Sequence, residues 1–191
     1  MLPYLILDDY LLEDAKIEEY YQHFKKYADN IFYRDNSGTV EKITTIYGHE
    51  EWIRDNPELM EYKDKTLNII AKDFLKYFDL EDLQYNCFIL ITRANKILQW
   101  HIDGAAAIGA PQAAFMYDFR NTERAPTIFD YNGKIYTLDG YKAALINTST
   151  MHMVDNSLYG ERYNLRISLY GKTFEEIMSK IINKNNPHKE T

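Results

Sequence analysis

One stretch near the carboxyl end of the chain restricts the possible folds more than any other. Residues 162–170 alternate between polar and apolar side chains, which is the pattern of a β-strand. Successive side chains of a strand point to opposite faces, so one face is polar and carries Arg162, Asn164, Arg166 and Ser168. Because unpaired charge is costly in a dry core, the pattern predicts a barrel strand whose polar face lines an interior that holds an anionic ligand.

Short strands separated by turns account for most of the chain after residue 82. We predict strands at residues 4–7, 83–92, 97–102, 114–119, 127–131, 134–137, 142–147 and 162–170. Asn132-Gly133 is a strong hairpin signal between two of these strands. The segment from residue 30 to 49 has a mixed pattern, with a turn predicted at residues 36–38.

Amphipathic spacing predicts helices over residues 14–27, 56–78 and 174–182. The second of these begins at Asn56-Pro57, a typical helix start. Supporting helices beside many short antiparallel strands indicate a mainly β fold. We therefore predict a double-stranded β-helix, that is, a barrel of the jelly-roll or cupin type.

The 191 residues contain no internal repeat, linker or low-complexity segment, so we expect a single domain over 1–191. Within it we place an N-terminal strand and supporting helices in 1–81, the jelly-roll core in 82–172, and a C-terminal helix and tail in 173–191. The single cysteine, Cys87, lies in an apolar run, which predicts a buried and unreactive thiol.

The net charge of −7 and the pI near 5.3 argue against nucleic acid or an anionic membrane as a partner. The apolar N-terminus has no basic leader, and no segment reaches the roughly 18 apolar residues of a membrane span. We therefore expect a soluble, cytoplasmic protein.

Potential metal ligands occur where one predicted strand ends. His101 and Asp103 are two residues apart, so in an extended backbone they share one face and lie roughly 6.5–7 Å apart. Two converging side chains can close that distance around one ion. A His-x-Asp pair alone is a weak signal and requires a third ligand. His23 and His49 lie in no comparable motif.

His152, 51 positions after His101, is the natural third ligand. That separation allows several strands to pass around a barrel and return to the same place. Two His and one carboxylate match the facial triad of non-haem Fe(II) oxygenases. The same donors also suit Zn(II), so the ligands alone do not identify the metal.

Arg162 follows His152 by ten residues and begins the polar strand. Arginine binds carboxylates through a bidentate fork. A structural ion pair of Arg162 with Asp155 or Glu161 is the alternative. Arg166 has three possible partners: a substrate, the inner carboxylate of a cosubstrate, or an acidic side chain.

The order His101-Ile-Asp103, His152, Arg162 resembles the Fe(II)/2-oxoglutarate-dependent oxygenases. Residues 146–156 are similar to aspartyl/asparaginyl β-hydroxylases and free-proline hydroxylases around their distal His. Residues 162–166 resemble the alkylated-DNA repair dioxygenases, in which the Arg and the Asn both meet the cosubstrate. The resemblance covers residues 85–171. It implies metal binding by His101, Asp103 and His152, and cosubstrate binding by Arg162, Asn164 and Arg166.

The resemblance implies a dioxygenase that uses Fe(II), O2 and 2-oxoglutarate, with His101, Asp103, His152 and Arg162 as the catalytic group. The expected reaction is hydroxylation of an amino acid or a peptidyl side chain, so the expected partner is a small molecule or a peptide. Halogenating relatives replace the carboxylate ligand, whereas Asp103 is present here. Two alternatives stay open: a cupin-type metal barrel with redox-neutral chemistry, and a non-catalytic module that binds 2-oxoglutarate.

Overall fold

The predicted strand at residues 162–170 lies at the centre of the larger of two sheets. The structure is a computed structural model and describes residues 1–27, 31–32, 44–103, 109–120 and 125–185. Along its whole length the strand pairs antiparallel with residues 84–92, from Arg162 opposite Thr92 to Tyr170 opposite Gln84. On its other edge it pairs antiparallel with residues 113–118.

The strands found in the described ranges are β1 (Tyr4–Ile6), β2 (Ile31–Phe32), β3 (Thr44–Tyr47), β4 (Gln84–Thr92), β5 (Lys96–His101), β6 (Ala113–Asp118), β7 (Thr127–Tyr131), β8 (Lys134–Leu138), β9 (Ala143–Asn147), β10 (Met151–Asn156) and β11 (Arg162–Tyr170). The helices found there are α1 (Asp14–Tyr27), α2 (Glu50–Ile53), α3 (Pro57–Lys65), α4 (Leu67–Tyr77) and α5 (Phe174–Asn185). Every predicted strand is confirmed to within one residue at either end.

Two antiparallel sheets form the barrel. The larger sheet has the strand order β1-β9-β6-β11-β4-β3-β2, and the smaller has the order β5-β10-β7-β8. The predicted hairpin joins β7 and β8, where Asn132 and Gly133 both have positive φ, as a type I′ turn requires. The predicted fold class, a double-stranded β-helix with supporting helices, is confirmed.

The two faces of β11 have different surroundings. The apolar face packs against the helices, in a core that includes Leu165, Phe74 of α4 and Ile177 of α5. The polar face lies on the side of the smaller sheet, where a second cluster includes Phe88, Met116 and the small-sheet residue Phe129. The predicted strand alternation therefore separates a dry helix–sheet core from the interior between the sheets.

Replacement of Phe115 tests how much the core between the larger sheet and the helices contributes to stability. Its side chain is fully buried on β6, with its ring centroid 4.4 Å from that of Phe74. We expect Phe115→Ala to lower the free energy of unfolding by about 3–5 kcal/mol, because it removes buried apolar area and leaves a cavity. Urea denaturation measures the change. The control is Ile135→Ala on the exposed side of β8, for which we expect a change within about 0.5 kcal/mol; a similar loss in both variants would contradict this account.

The prediction of one helix over residues 56–78 is wrong. The helix starts as predicted, because Asn56 caps it by accepting from the backbone N–H of Leu59 and Pro57 follows. At Thr66 the backbone leaves the helical region, with φ −130° and ψ −88°, and a new helix begins at Leu67. The apolar stripe continues across the break, so periodicity alone could not reveal it.

Four elements were not predicted: β2, β3, α2 and β10. All four residues of β3 are buried, including Thr44 and Thr45, so this strand does not have the alternation by which a half-buried strand is recognised. The turn predicted at residues 36–38 lies outside the described residues. The predicted division into 1–81, 82–172 and 173–191 stays a prediction.

Cys87 is buried on β4, on the side of the helices, as predicted. Burial raises the pKa of its thiol to about 12, so the thiolate is not populated at neutral pH. In the described parts of the chain, no helix combines the length and the apolar composition needed to cross a bilayer.

Candidate active site

Neighbouring strands of the smaller sheet bring the three predicted metal ligands together. His101 is the last residue of β5 and pairs directly with His152 of β10, and Asp103 follows two residues after His101. Oδ1 of Asp103 lies 3.5 Å from Nε2 of His101 and 3.7 Å from Nε2 of His152. One ligand atom from each residue lies within 4.8 Å of the others, a spacing that could hold one metal ion.

Backbone carbonyls set the protonation of both imidazoles. Nδ1 of His101 is 2.6 Å from the carbonyl oxygen of Gln99, and Nδ1 of His152 is 2.9 Å from that of Thr150. A carbonyl oxygen only accepts, so Nδ1 carries the proton and the Nε2 lone pair is left on the side of Asp103. Burial lowers the pKa of His152, which favours the neutral ring that a metal requires.

Arg166 orients the carboxylate of the trio. Its guanidinium donates to Oδ2 of Asp103, and its Nε donates to Oγ of Ser168 at 3.0 Å. Burial alone would raise the pKa of Asp103, but Arg166, His101 and His152 outweigh burial and hold that pKa well below its ordinary value. Three partners were considered for Arg166, and the structure shows the third, an acidic side chain. That side chain is Asp103, one of the three candidate metal ligands.

Arg162 is almost completely buried between the two sheets, with 3% of its surface exposed. It donates to Oγ1 of Thr127 at 3.1 Å and to the hydroxyl of Tyr141, while its Nε is buried and has no hydrogen-bond partner within the described ranges. Among the described residues, no carboxylate lies within ion-pair distance of this guanidinium. The interior thus contains a buried positive charge that is satisfied only by neutral hydroxyls.

The two acids considered as structural partners of Arg162 have other contacts. Glu161 forms an ion pair with Arg93 at 2.9 Å. Asp155 accepts hydrogen bonds from the backbone and side chain of Ser157. The alternative of a structural ion pair for Arg162 is therefore wrong.

Asn164 lies on the same face of β11 as the two arginines, and only 1% of its surface is exposed. Its Nδ2 is buried and has no hydrogen-bond partner in the part of the chain that the structure describes, so a spare donor lies two residues from Arg162 on the same strand face. Thr92 lies opposite Arg162 in the ladder and shares this interior face. Tyr85 lies opposite Leu169 and packs on the helix side instead.

The chemistry of the donor set fits a divalent transition metal. Two neutral imidazole nitrogens and one ionised carboxylate oxygen form the 2-His-1-carboxylate set that non-haem Fe(II) uses, and they leave coordination positions open. Each imidazole has its second nitrogen bound to a carbonyl, and the carboxylate has its second oxygen bound to Arg166. Such outer hydrogen bonds hold ligands in the binding orientation. Gly104, next to Asp103, lies outside the described residues.

A second group of polar side chains near this site was not foreseen from the sequence. Lys63 and Asn86 are buried, and together with His49 they form a chain of hydrogen bonds beside Phe88 and Arg166. The available signal was the alternation of β4, which places Asn86 on the interior face together with Phe88. The partners of Asn86 are distant in the sequence, so their meeting could not be read from it.

No protein-family model and no curated protein matches this sequence. Among solved structures, an oxidoreductase of the 2OG-Fe(II) oxygenase family from Burkholderia pseudomallei is similar, with a TM-score of 0.60, 13% identity, and coverage of 87% of this chain and 84% of that chain. A prolyl hydroxylase from Trichoplax adhaerens, solved with a peptide fragment of hypoxia inducible factor, has a TM-score of 0.56, 12% identity, and coverage of 94% and 86%.

HygX from Streptomyces hygroscopicus, solved with nickel and 2-oxoglutarate bound, has a TM-score of 0.51 and 12% identity over 90% of this chain and 84% of that chain. At these identities the likeness concerns the path of the backbone. This chain has the double-stranded β-helix fold of the 2OG-Fe(II) oxygenases.

Proposed function

We propose that this protein is an Fe(II)/2-oxoglutarate-dependent dioxygenase that hydroxylates an amino acid or a peptidyl side chain. The observation that carries the proposal is the buried guanidinium of Arg162, which has no acidic partner among the described residues. It lies on the same strand face as Arg166, which binds the metal-ligand candidate Asp103. A buried cation beside a metal trio calls for an anionic ligand, and 2-oxoglutarate carries a carboxylate at each end.

The trio of His101, Asp103 and His152 would hold the iron. Bound iron would supply the coupled oxidation of 2-oxoglutarate and substrate by O2. The contribution of the protein is a prearranged ligand set: the carbonyls of Gln99 and Thr150 keep both Nε2 atoms unprotonated, and Arg166 keeps Asp103 ionised. Outer hydrogen bonds of this kind hold ligands in the binding orientation.

Arg162 would hold the distal carboxylate of 2-oxoglutarate. The hydroxyls of Thr127 and Tyr141 already contact the guanidinium and limit its orientation. The free Nδ2 of Asn164 is a further donor on the same face. Charge-assisted hydrogen bonds are stronger in an interior from which water is excluded. The cosubstrate would therefore be bound by its charge and oriented by the fixed positions of these donors.

Apolar side chains exclude water from the same interior. The cluster between the sheets consists of Ile46, Phe88, Leu90, Ala114, Met116, Phe129, Leu138, Tyr141, Ala144 and Ile146. All of them except Tyr141, which lies between β8 and β9, are on strands of the two sheets. Exclusion of water strengthens the ionic contacts of the arginines and protects a reactive centre from side reactions.

Two observations support an amino acid or peptidyl substrate. Residues 146–156 resemble the aspartyl/asparaginyl β-hydroxylases and the free-proline hydroxylases, and one structural neighbour is a prolyl hydroxylase solved with a peptide. Hydroxylation is favoured over halogenation because the carboxylate ligand Asp103 is present and held by Arg166.

The test is a turnover screen with protein purified without oxygen, reconstituted with Fe(II), and supplied with 2-oxoglutarate and O2. The panel contains free amino acids and short peptides, and succinate formation is measured against the rate without substrate. We expect Fe(II)-dependent succinate formation that at least one compound stimulates several-fold. Reconstitution with Zn(II) serves as the matched control and should give no succinate.

The two alternative functions predict different outcomes. A redox-neutral metal barrel would retain Zn(II) during purification and would not bind 2-oxoglutarate. A non-catalytic module would bind 2-oxoglutarate tightly without consuming O2. Either result would overturn the proposed function.

A further inference from the structure

Lys63 is a buried ammonium group whose position the proposed catalytic residues do not explain. It lies on α3 with no exposed surface, and its Nζ donates to Oδ1 of Asn86 at 2.7 Å. Among the described residues, no carboxylate lies within ion-pair distance of it. Burial lowers the pKa of Lys63. Since lysine is almost never fully buried without a partner, a role that depends on this hydrogen bond would account for its presence.

The direction of the hydrogen bonds in this chain can be deduced from chemistry. An ammonium group only donates, so the atom of Asn86 that faces Lys63 must be the oxygen. The amide nitrogen Nδ2 then faces His49, whose Nε2 lies 3.1 Å away and must accept. The proton of His49 is therefore on Nδ1. Burial lowers the pKa of His49 to about 4, with Lys63 and Arg166 adding to the effect, so this ring is neutral.

His49 lies beside the residues that orient the metal ligands. Its ring stacks on Trp52 at 4.3 Å and lies 5.1 Å from the ring of Phe88. The guanidinium of Arg166 lies 5.7 Å from the centroid of the same Phe88 ring. Phe88 is opposite Arg166 in the ladder, on the interior face of the larger sheet. His49 and Arg166 therefore both lie against the same aromatic side chain, that of Phe88.

The residue before His49 is a glycine that allows a sharp turn of the backbone. Gly48 has a φ of +78°, and a Cβ atom there would lie 3.1 Å from Cδ1 of Leu67, so a larger residue would be strained. The turn carries the chain from β3 into the first turn of α2 and places His49 over Trp52. Nδ1 of His49 is buried and has no hydrogen-bond partner among the described residues, so its N–H is an unused donor there.

We propose that His49 binds the substrate, with its Nδ1–H donating to a carbonyl or carboxylate oxygen of the amino acid or peptide. Lys63 and Asn86 are positioning residues that keep the proton on Nδ1, and Trp52 and Phe88 contact the ring. The inference rests on the proposed function and adds a recognition element to it. An apolar residue would pack in place of Lys63 at lower cost.

The first experiment measures the tautomer of His49 by 15N NMR of histidine-labelled, metal-free protein at pH 7, with His49→Phe to assign the signals. We expect Nδ1 protonated and Nε2 unprotonated. In Asn86→Asp a carboxylate would accept from both neighbours, so the tautomer should reverse to Nε2–H. Protonation at Nε2 or at both nitrogens in the wild-type protein, or an unchanged tautomer in Asn86→Asp, would overturn the proposed relay.

The second experiment compares substrates that have or lack the oxygen acceptor. Stimulating compounds from the amino acid and peptide panel are tested beside the amines that remain when the carboxyl or amide carbonyl group is removed. In His49→Phe, which keeps a ring on Trp52, we expect KM for the acceptor-bearing compound to rise about 10-fold, with a smaller change in kcat. The preference over the matching amine should disappear.

The matched control is His23→Phe, because His23 also stacks on an aromatic ring, that of Tyr62 at 3.6 Å, but lies on α1. We expect unchanged KM in that variant. Lys63→Met and Asn86→Asp should raise KM as His49→Phe does without lowering the melting temperature, which separates positioning from folding. Unchanged KM and preference in His49→Phe would refute the recognition role. Absence of Fe(II)-dependent succinate formation in the wild-type protein would refute the proposed function, while the NMR result would still decide the relay.

Discussion

Replacing Asp103 with Ala should weaken Fe(II) binding by about three orders of magnitude, or about 4 kcal/mol, and reduce succinate formation to background. The carboxylate is the only anionic ligand in the trio, and its Oδ1 lies within 3.7 Å of both imidazole Nε2 atoms. Without it, two neutral imidazoles remain, with the positive charge of Arg166 beside them. Isothermal titration with Fe(II) under nitrogen measures the affinity, and the succinate assay measures turnover.

The same substitution should destabilise the metal-free protein. Arg166 donates to Oδ2 of Asp103. Removing one partner of a buried ion pair leaves an uncompensated charge, so we expect the free energy of unfolding to fall by about 3–5 kcal/mol. Adding Arg166→Met to Asp103→Ala should restore much of the stability but none of the Fe(II) affinity. This double variant separates loss of the ligand from loss of the fold.

Asp155→Ala is the matched control, because Asp155 lies on the same strand as His152 and its carboxylate accepts from Ser157, its one hydrogen-bond partner among the described residues. We expect nearly unchanged Fe(II) affinity and a stability change below about 1 kcal/mol. Normal succinate production by the Asp103→Ala protein would rule out this residue as a metal ligand.

Arg162→Met should raise the dissociation constant for 2-oxoglutarate about 100-fold, equivalent to about 2.7 kcal/mol. The guanidinium is the buried charge that would meet the distal carboxylate, and Met fills a similar volume without charge. In the absence of 2-oxoglutarate we expect the variant to be more stable than the wild-type protein by about 1–2 kcal/mol. The reason is that a buried cation satisfied only by Thr127 and Tyr141 costs more than an apolar side chain.

These opposite effects on binding and stability distinguish a ligand-binding arginine from a structural one. Titration calorimetry with 2-oxoglutarate in the presence of Zn(II) gives the affinity, and urea denaturation gives the stability. Arg93→Met is the control, because Arg93 pairs with Glu161 and is about one-third exposed. It should leave 2-oxoglutarate affinity unchanged. Loss of stability in Arg162→Met together with unchanged affinity would refute the proposed role.

The strands were predictable because their signals are local. β11 alternates over its whole length, and Asn132-Gly133 has the backbone preference of its hairpin. β3 is buried on both faces and therefore does not alternate between polar and apolar residues. For that reason it was not recognised within the mixed segment of residues 30–49. The break at Thr66 leaves the apolar stripe intact, so two helices have the periodicity of one. Local pattern fails where burial does not alternate or where the backbone breaks without changing the pattern.

Part of the candidate site could likewise be predicted from local patterns, and part depends on contacts between distant residues. The spacing of His101 and Asp103 is a local property of an extended backbone, and the polar face of β11 is a local property of alternation. The pairing of His152 with His101 depends on the register between β10 and β5. The hydrogen bonds of Lys63, Asn86 and His49 join three separate elements. No periodicity encodes such meetings between distant residues.

By itself, the sequence determined that this chain forms short strands with one polar interior face and that two imidazoles and a carboxylate are available as ligands. Those properties follow from side-chain chemistry and from the two-residue repeat of a strand. Only the tertiary structure decided that Arg166 binds Asp103 while Arg162 has no acidic partner among the described residues. The physical reason is that partner choice for a buried charge depends on which groups packing brings within about 3 Å, and packing joins residues far apart in the chain.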